Sequence, residues 1–311
     1  MLRSLAFVLI LLVPLPRLAA QDNSASPKTV KLLTVGNSFS RDATVYLERL
    51  AKARGHTLVH RPIVVGGASM ALHSGRVETH EKDPKDPLGL YAGKSLKQQL
   101  AEDAWDFVTI QQASILSHNV ETYRPYAQKL RDYIKTHAPK AELLLHQTWA
   151  YRIDDPRFTK PSDKPGEPTT QKAMYDGLSH AYGTIASELG VRIIPVGDAF
   201  YLADTDPKWG YKADKKFDFK NAKPPALPDQ THSLHVGWRW SKSKDGKTTL
   251  SIDGHHASPA GQYLGACVFY ERIFGESVLG NPFVPAEFDK ETAAYLQSVA
   301  HRAVVNRDAK K

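Results

Sequence analysis

Cysteine is all but missing from this chain of 311 residues: Cys267 stands alone. No internal disulfide can form, so the fold must rest on its apolar core. Cys267 itself lies in an apolar helical stretch and reads as a packing residue. Long hydrophobic runs are missing too. The run from Leu5 to Val13 is too short to cross a bilayer. No cysteine follows it, which argues against a bacterial lipoprotein. There is no internal repeat and no low-complexity tract. No helix-turn-helix, zinc-finger or RNA-binding signature occurs, so nucleic acid is not an expected partner. His118, His232 and His235 fall outside any recognisable metal-ligand spacing, and no His-Glu-x-x-His is present. Neither a metal nor another cofactor is expected.

What is present begins with an export signal. Arg3, the apolar run, Pro14 and Pro16, then Leu18-Ala19-Ala20 supply a charged region, a short hydrophobic region and a small-residue cleavage site. Residues 1–20 therefore read as a secretory signal peptide cut after Ala20, with an uncleaved anchor as the alternative. The mature protein is expected to be periplasmic or secreted, with no stable membrane insertion. Residues 21–29 are a polar leader. Residues 30–311 are expected to form a single domain, with loop insertions at about 151–170 and 203–250. The first insertion is rich in proline, and the second holds Trp209, Trp238 and Trp240. Loops of that length in a compact domain are usually functional or mobile, and both are expected to wall the cleft. The formal charge is +8, or about +6 once Arg3 and Arg17 leave with the signal. Between Lys208 and Lys247 stand ten Lys or Arg against four Asp. That stretch reads first as a solvated basic surface and second as an affinity for acidic polysaccharide. Nothing in the sequence sets the oligomeric state.

Apolar runs predict strands at about 30–35, 56–65, 105–110, 142–146 and 191–196. Helical patterns fall near 41–51, 94–103, 123–136, 171–189 and 259–274. Strands alternating with helices imply a mostly parallel central sheet covered on both faces, a three-layer α/β/α sandwich. Such sheets place their chemistry at the C-terminal edge of the strands.

Two blocks meet that expectation. Gly36-Asn37-Ser38-Phe39-Ser40 follows the first strand, and Asp253-Gly254-His255-His256 precedes a helix start at Ser258-Pro259. A serine hydroxyl is a weak nucleophile until a histidine takes its proton and an acid orients that histidine. Ser38, His256 and Asp253 can supply those roles, with His255 the competitor for the base. Ser38 could equally be a helix cap, and Asn37 a turn residue. Trp149 and Tyr151, after the fourth strand, offer a platform for a sugar ring or pack the base of a loop.

These blocks resemble the SGNH (GDSL-like) hydrolases, in particular an exported bacterial branch that reads Gly-Asn-Ser in its first block. The resemblance spans about residues 30–275 and implies that family's flavodoxin-like fold. It implies Ser38 as nucleophile and first oxyanion donor, Asp253 and His256 as the Asp-x-x-His block, and Gly67 as the second oxyanion donor, with Gly66 if the register slips. The third block departs. The family's asparagine is absent, and Gln111-Gln112-Ala113-Ser114 stands there instead. A glutamine carries the same amide donor on a longer arm. Gln112 is therefore expected to complete the oxyanion hole, with Gln111 second, and both Gln111 and Asn37 are expected near the substrate. The implied activity is ester hydrolysis through an acyl-enzyme, with an O-acetyl group on a carbohydrate as the expected substrate. Acyl transfer to a sugar on the same triad, or glycan binding without catalysis, are the alternatives.

Overall fold

The run Leu32-Leu33-Thr34-Val35 is buried on both faces, which is why it is apolar without alternation. It lies in β1 (Thr29–Gly36), the strand on which the sheet is built. In the computed structural model, which describes residues 26–243 and 245–309, β1 pairs with β2 (Thr57–Val64) on one side and β3 (Phe107–Ile110) on the other. The predicted signal peptide and most of the leader lie outside the described residues. β4 (Glu142–His146) and β5 (Arg192–Ile194) complete a parallel sheet of order β2-β1-β3-β4-β5. The chain runs outward from β1 to β2, then crosses back to β3. The switch point therefore falls between the C-terminal ends of β1 and β3, where a ligand finds a crevice.

Among the described residues ten α-helices surround the sheet: α1 (Ser38–Thr44), α2 (Leu47–Ala53), α3 (Met70–Lys82), α4 (Leu96–Leu100), α5 (Tyr126–His137), α6 (Pro156–Thr159), α7 (Gln171–Leu189), α8 (Val196–Asp204), α9 (Pro259–Phe274) and α10 (Lys290–Asp308). One packed group holds α1, α2, α8, α9 and α10; another holds α3, α4, α5 and α7. The expected α/β/α sandwich is thus present. Helix α9 is buried almost throughout, so its sequence is apolar on every side. Gly265 lets α1 approach it, since a Cβ there would stand 2.9 Å from the Ala43 Cα. Cys267 is buried in the same helix.

Several elements were not expected from the sequence. Helix α3 buries only Met70, His73, Ser74 and His80, so no apolar stripe announces it. Helix α10 does carry such a stripe, with Leu296, Val299, Ala300, Ala303 and Val304 buried at helical spacing. From the end of the second insertion onward the chain forms an antiparallel hairpin, β6 (His235–Lys242) and β7 (Thr248–Ala257). Asp253 and His256 therefore sit at the end of a strand that runs directly into α9, whose N-cap is Ser258, as the expected helix start requires. Among the described residues no helix is long and apolar enough to cross a membrane.

Candidate active site

Asn37 follows β1 and caps α1, and its side chain organises the turn. Its Oδ1 accepts from the Phe39 N–H at 2.9 Å and from the Gln111 Nε2 at 2.8 Å. Its Nδ2 donates to the Ala68 carbonyl at 3.0 Å. One buried amide thus ties the end of β1 to the loop after β2 and to the end of β3. This corrects the expectation that Asn37 and Gln111 touch substrate: both are buried, Asn37 is bonded on both its amide atoms, and the Gln111 amide nitrogen is bonded to Asn37. Gln111 lies over Gly36, where a Cβ would meet its Oε1 at 2.6 Å, so glycine is required there.

Ser38 is the first residue of α1, at a half-buried position. Its Oγ lies 2.9 Å from His256 Nε2. The other ring nitrogen, Nδ1, lies 3.0 Å from Asp253 Oδ2 and 3.2 Å from Oδ1. The carboxylate also accepts the His256 backbone N–H at 3.1 Å. A carboxylate at Nδ1 fixes the neutral ring with its proton there. Nε2 is then an acceptor for the Ser38 hydroxyl.

The hairpin makes this alignment possible through a bulge. His235 pairs with Ala257 and Gly237 with Asp253, so Val236 alone faces three residues of β7. In a regular strand, residues three apart point to opposite faces. The extra residues bend β7 and bring Asp253 and His256 to the same side. The Trp149 indole N–H donates to the His255 carbonyl at 2.9 Å, and Arg152 N–H donates to the Gly254 carbonyl at 2.8 Å. Both bonds hold the bulge from the end of β4.

The electrostatics follow from these contacts. The bond to Asp253 raises the His256 pKa above its ordinary value, against the opposing effect of burial. Burial pushes the Asp253 carboxyl up, but the bonds from His256 and the nearby His255 outweigh it and hold it well below the usual carboxylate range. His255 Nδ1 approaches Asp253 at 3.4 Å, while Ser38 faces His256; His255 is not the base partner of Ser38. Asp253, His255 and His256 place one ligand atom each within 4.8 Å of the others, a donor set that could hold a metal ion. The same atoms make the contacts just described.

Two further expectations are corrected. Gln112 is fully buried, and its amide donates to the Thr122 carbonyl at 2.8 Å and to Thr122 Oγ1 at 3.2 Å. Its Oε1 accepts from the N–H groups of Met70 at 3.1 Å and Ala113 at 2.9 Å. Both amide protons are committed, so Gln112 ties loops together and has none left for an oxyanion. Trp149 is fully buried, stacked on Phe200 at 4.4 Å and against Phe39 at 4.3 Å. Tyr151 is buried and shares a hydrogen bond with Ser114 Oγ at 3.0 Å. With their faces covered, neither is a sugar platform.

Gly67 is exposed on the loop after β2, with φ of 65°, a left-handed value that favours glycine. Its N–H, like that of Ser38, takes no partner among the described residues. Sequence reasoning missed Arg152, whose buried guanidinium pairs with Asp154 at 2.6 Å and also donates to Gln230 and Ser233. It missed Arg239 as well, which stands 3.6 Å from Asp253. The signal for Arg239 was its place between Trp238 and Trp240, which puts it on the opposite face of their strand.

A family model described as a domain of unknown function, DUF4886, matches residues 31–206. A comparison with curated proteins finds none that matches. Among solved structures, the chain is similar to a DUF4886 family protein from Bacteroides uniformis, 26% identical, over 90% of this chain and 96% of that one, with a TM-score of 0.66. It is also similar to a candidate SGNH hydrolase from Slackia heliotrinireducens, 21% identical, over 78% of this chain and 98% of that one, TM-score 0.47. A candidate GDSL-like lipase from Parabacteroides merdae matches at 14% identity over 80% of this chain and 97% of that one, TM-score 0.43.

Proposed function

The chain belongs to the DUF4886 family, and from that premise we propose that it is an exported serine esterase that removes a short acyl group, such as O-acetyl, from a carbohydrate. One observation carries the proposal: Ser38 Oγ, His256 and Asp253 stand in hydrogen-bond sequence, at 2.9 and 3.0 Å. His256 Nε2 takes the Ser38 proton as Oγ attacks the ester carbonyl. The resulting imidazolium is stabilised by Asp253. The oxyanion is received by backbone N–H groups of Ser38 and Gly67, with no side-chain amide beside them. His256 then protonates the departing alcohol, and water, activated by the same nitrogen, releases the acid and restores Ser38.

The half-exposed setting of Ser38 and His256 supports a short acyl group on a large polar alcohol. Export, inferred from residues 1–20, brings such an enzyme to glycans. Labelling with a fluorophosphonate tests the reaction class. The wild-type protein should be modified at one site, and Ser38→Ala and His256→Ala should abolish labelling. The double variant should lose no more ester turnover than either single one, because the two groups act as a unit. Labelling that survives Ser38→Ala would remove Ser38 from the chemistry.

A further inference from the structure

We propose that the sugar bearing the ester also carries a carboxylate, and that Arg239 binds it at the mouth of the site. The inference rests on the serine-esterase reading and adds the charge of its substrate.

The hairpin is a plate with two different faces. Gly237 pairs with Asp253 and Arg239 with Ser251, so these four residues share one face. On it, Arg239 Nη2 stands 3.6 Å from Asp253 Oδ2, too far for a hydrogen bond. The Arg239 side chain is 59% exposed, against 13% for Asp253. The Arg239 side chain makes no hydrogen bond to another described residue, so its fork of donors faces solvent beside the triad. A planar guanidinium matches a carboxylate in a bidentate fashion, which a lysine cannot do.

The opposite face carries the basic stretch. Trp238 packs on Phe219 at 4.6 Å and donates its indole N–H to Asp154 at 3.1 Å. Trp240 donates to the Ala226 carbonyl at 2.8 Å. The loop is thereby clamped to the back of the plate whose front holds Asp253. Among the described residues, no lysine from 212 to 247 has an acidic partner within salt-bridge reach.

Charge also separates by depth around the triad. Asp42 accepts the Ala257 N–H at 3.2 Å and is 4% exposed, while its neighbour Arg41, three residues from Ser38, is 61% exposed. Asp155 is buried against Gly254. Asp42, Asp155 and Asp253 lie inside, already bonded, while the guanidinium groups of Arg41, paired with Asp42 at 3.2 Å, and of Arg239 lie outside. An approaching substrate meets a positive rim, which attracts an anion and repels a cation.

The test measures acetate release from an O-acetylated uronic-acid oligomer and from the same oligomer with its carboxylates reduced to alcohols. The wild-type enzyme should favour the acidic form by about tenfold or more in kcat/KM, chiefly through KM, and the preference should shrink as salt rises. Arg239→Gln should reduce the preference about tenfold, and Arg239→Lys should keep part of it. Changing Lys215, Lys216 and Lys220 together to Glu should raise KM for the longer acidic oligomers. Equal rates on both forms in the wild type would overturn the proposal. So would an Arg239→Gln variant that slows both forms alike, since Arg239 would then act through Asp253. No acetate from either form, with Ser38 still labelled by the phosphonate, overturns the acidic sugar and leaves the serine hydrolase standing. No acetate and no label sinks both.

Discussion

The indole N–H of Trp149 donates to the carbonyl of His255 at 2.9 Å, tying the end of β4 to the strand that carries Asp253 and His256. The ring is fixed in turn by Phe200, nearly parallel at 9°, and by Phe39. Phe39 follows Ser38, so one aromatic cluster holds both halves of the site in register. Trp149→Phe keeps most of the packing and removes the bond. It should cost about 1–3 kcal/mol of stability, from the unpartnered carbonyl and the lost volume. Turnover should fall about tenfold with KM nearly unchanged, because a small shift of the bulge misplaces His256. Unfolding by denaturant and steady-state kinetics on one ester check the two effects. A variant with wild-type turnover would show that the bulge holds itself.

In the proposed reaction His256 must be neutral to accept the Ser38 proton. Its pKa lies above the ordinary 6.5 because Asp253 favours the charged ring. Activity should therefore rise with pH, with its half-point above 6.5. Stability runs the other way. A raised folded pKa gives a contribution that is full below the unfolded value and is lost as pH climbs through the folded one. Asp253→Asn removes the cause of the shift. Its acid limb should move to lower pH, while the plateau drops about 10²–10⁴-fold through loss of the correct tautomer. A pH profile of kcat/KM for both proteins reads the displacement. An acid limb that stays in place would mean that Asp253 does not set the ionisation of His256.

Much of the framework was legible because buried parallel strands and long helices write strong local patterns. β4, α7 and α9 lie where their apolar runs place them, and Ser38 follows β1 as the strand-to-turn pattern requires. The roles of glutamine and tryptophan were not legible. Whether the Gln112 amide faces a cleft or Thr122 depends on where the loop after β3 passes, which no residue near Gln112 encodes. Trp149 is apolar with one polar tip, equally suited to a platform or a core. Its burial is set by Phe39 and Phe200, which are far away in sequence. The hairpin was obscured by the lysines around it, although the alternation of Trp238, Arg239 and Trp240 carries a strand signal.

His146 ends β4 fully buried, with neither ring nitrogen bonded to another described residue. Burial pushes its pKa down to about 3. The unfolded chain takes up a proton near the ordinary 6.5 and the folded protein does not. Stability should thus fall as pH drops below that value, by up to about 1.4 kcal/mol per unit for this group alone. His235, also pushed down to about 3, adds to the same slope. His146→Leu keeps an apolar fit beside Phe269 and removes the proton uptake. Its Tm should depend less on pH between 7 and 4 than that of the wild type. An unchanged slope would show that His146 is not a source of the acid sensitivity.

Gln112 ties three loops together and has no amide proton free. Its carboxamide bonds Thr122 on one side and the N–H groups of Met70 and Ala113 on the other. Gln112→Ala strands two buried N–H groups, each worth about 1–3 kcal/mol when unpaired, so a clear loss of stability is expected. An oxyanion donor behaves differently: removing one lowers kcat by about 10²–10³ with little change in stability, since its bond strengthens only as charge develops. The two roles therefore separate in one variant. Gln112→Ala assayed well below its own Tm should retain turnover within about tenfold of the wild type, and Gln112→Glu should lose stability further, because a carboxylate cannot donate to the Thr122 carbonyl. Loss of 10²–10³ in kcat by a Gln112→Ala protein of wild-type stability would reinstate a side-chain donor. Retained turnover would leave Ser38 and Gly67 as the whole hole, and a catalyst slower by about one donor's worth than one with a third amide.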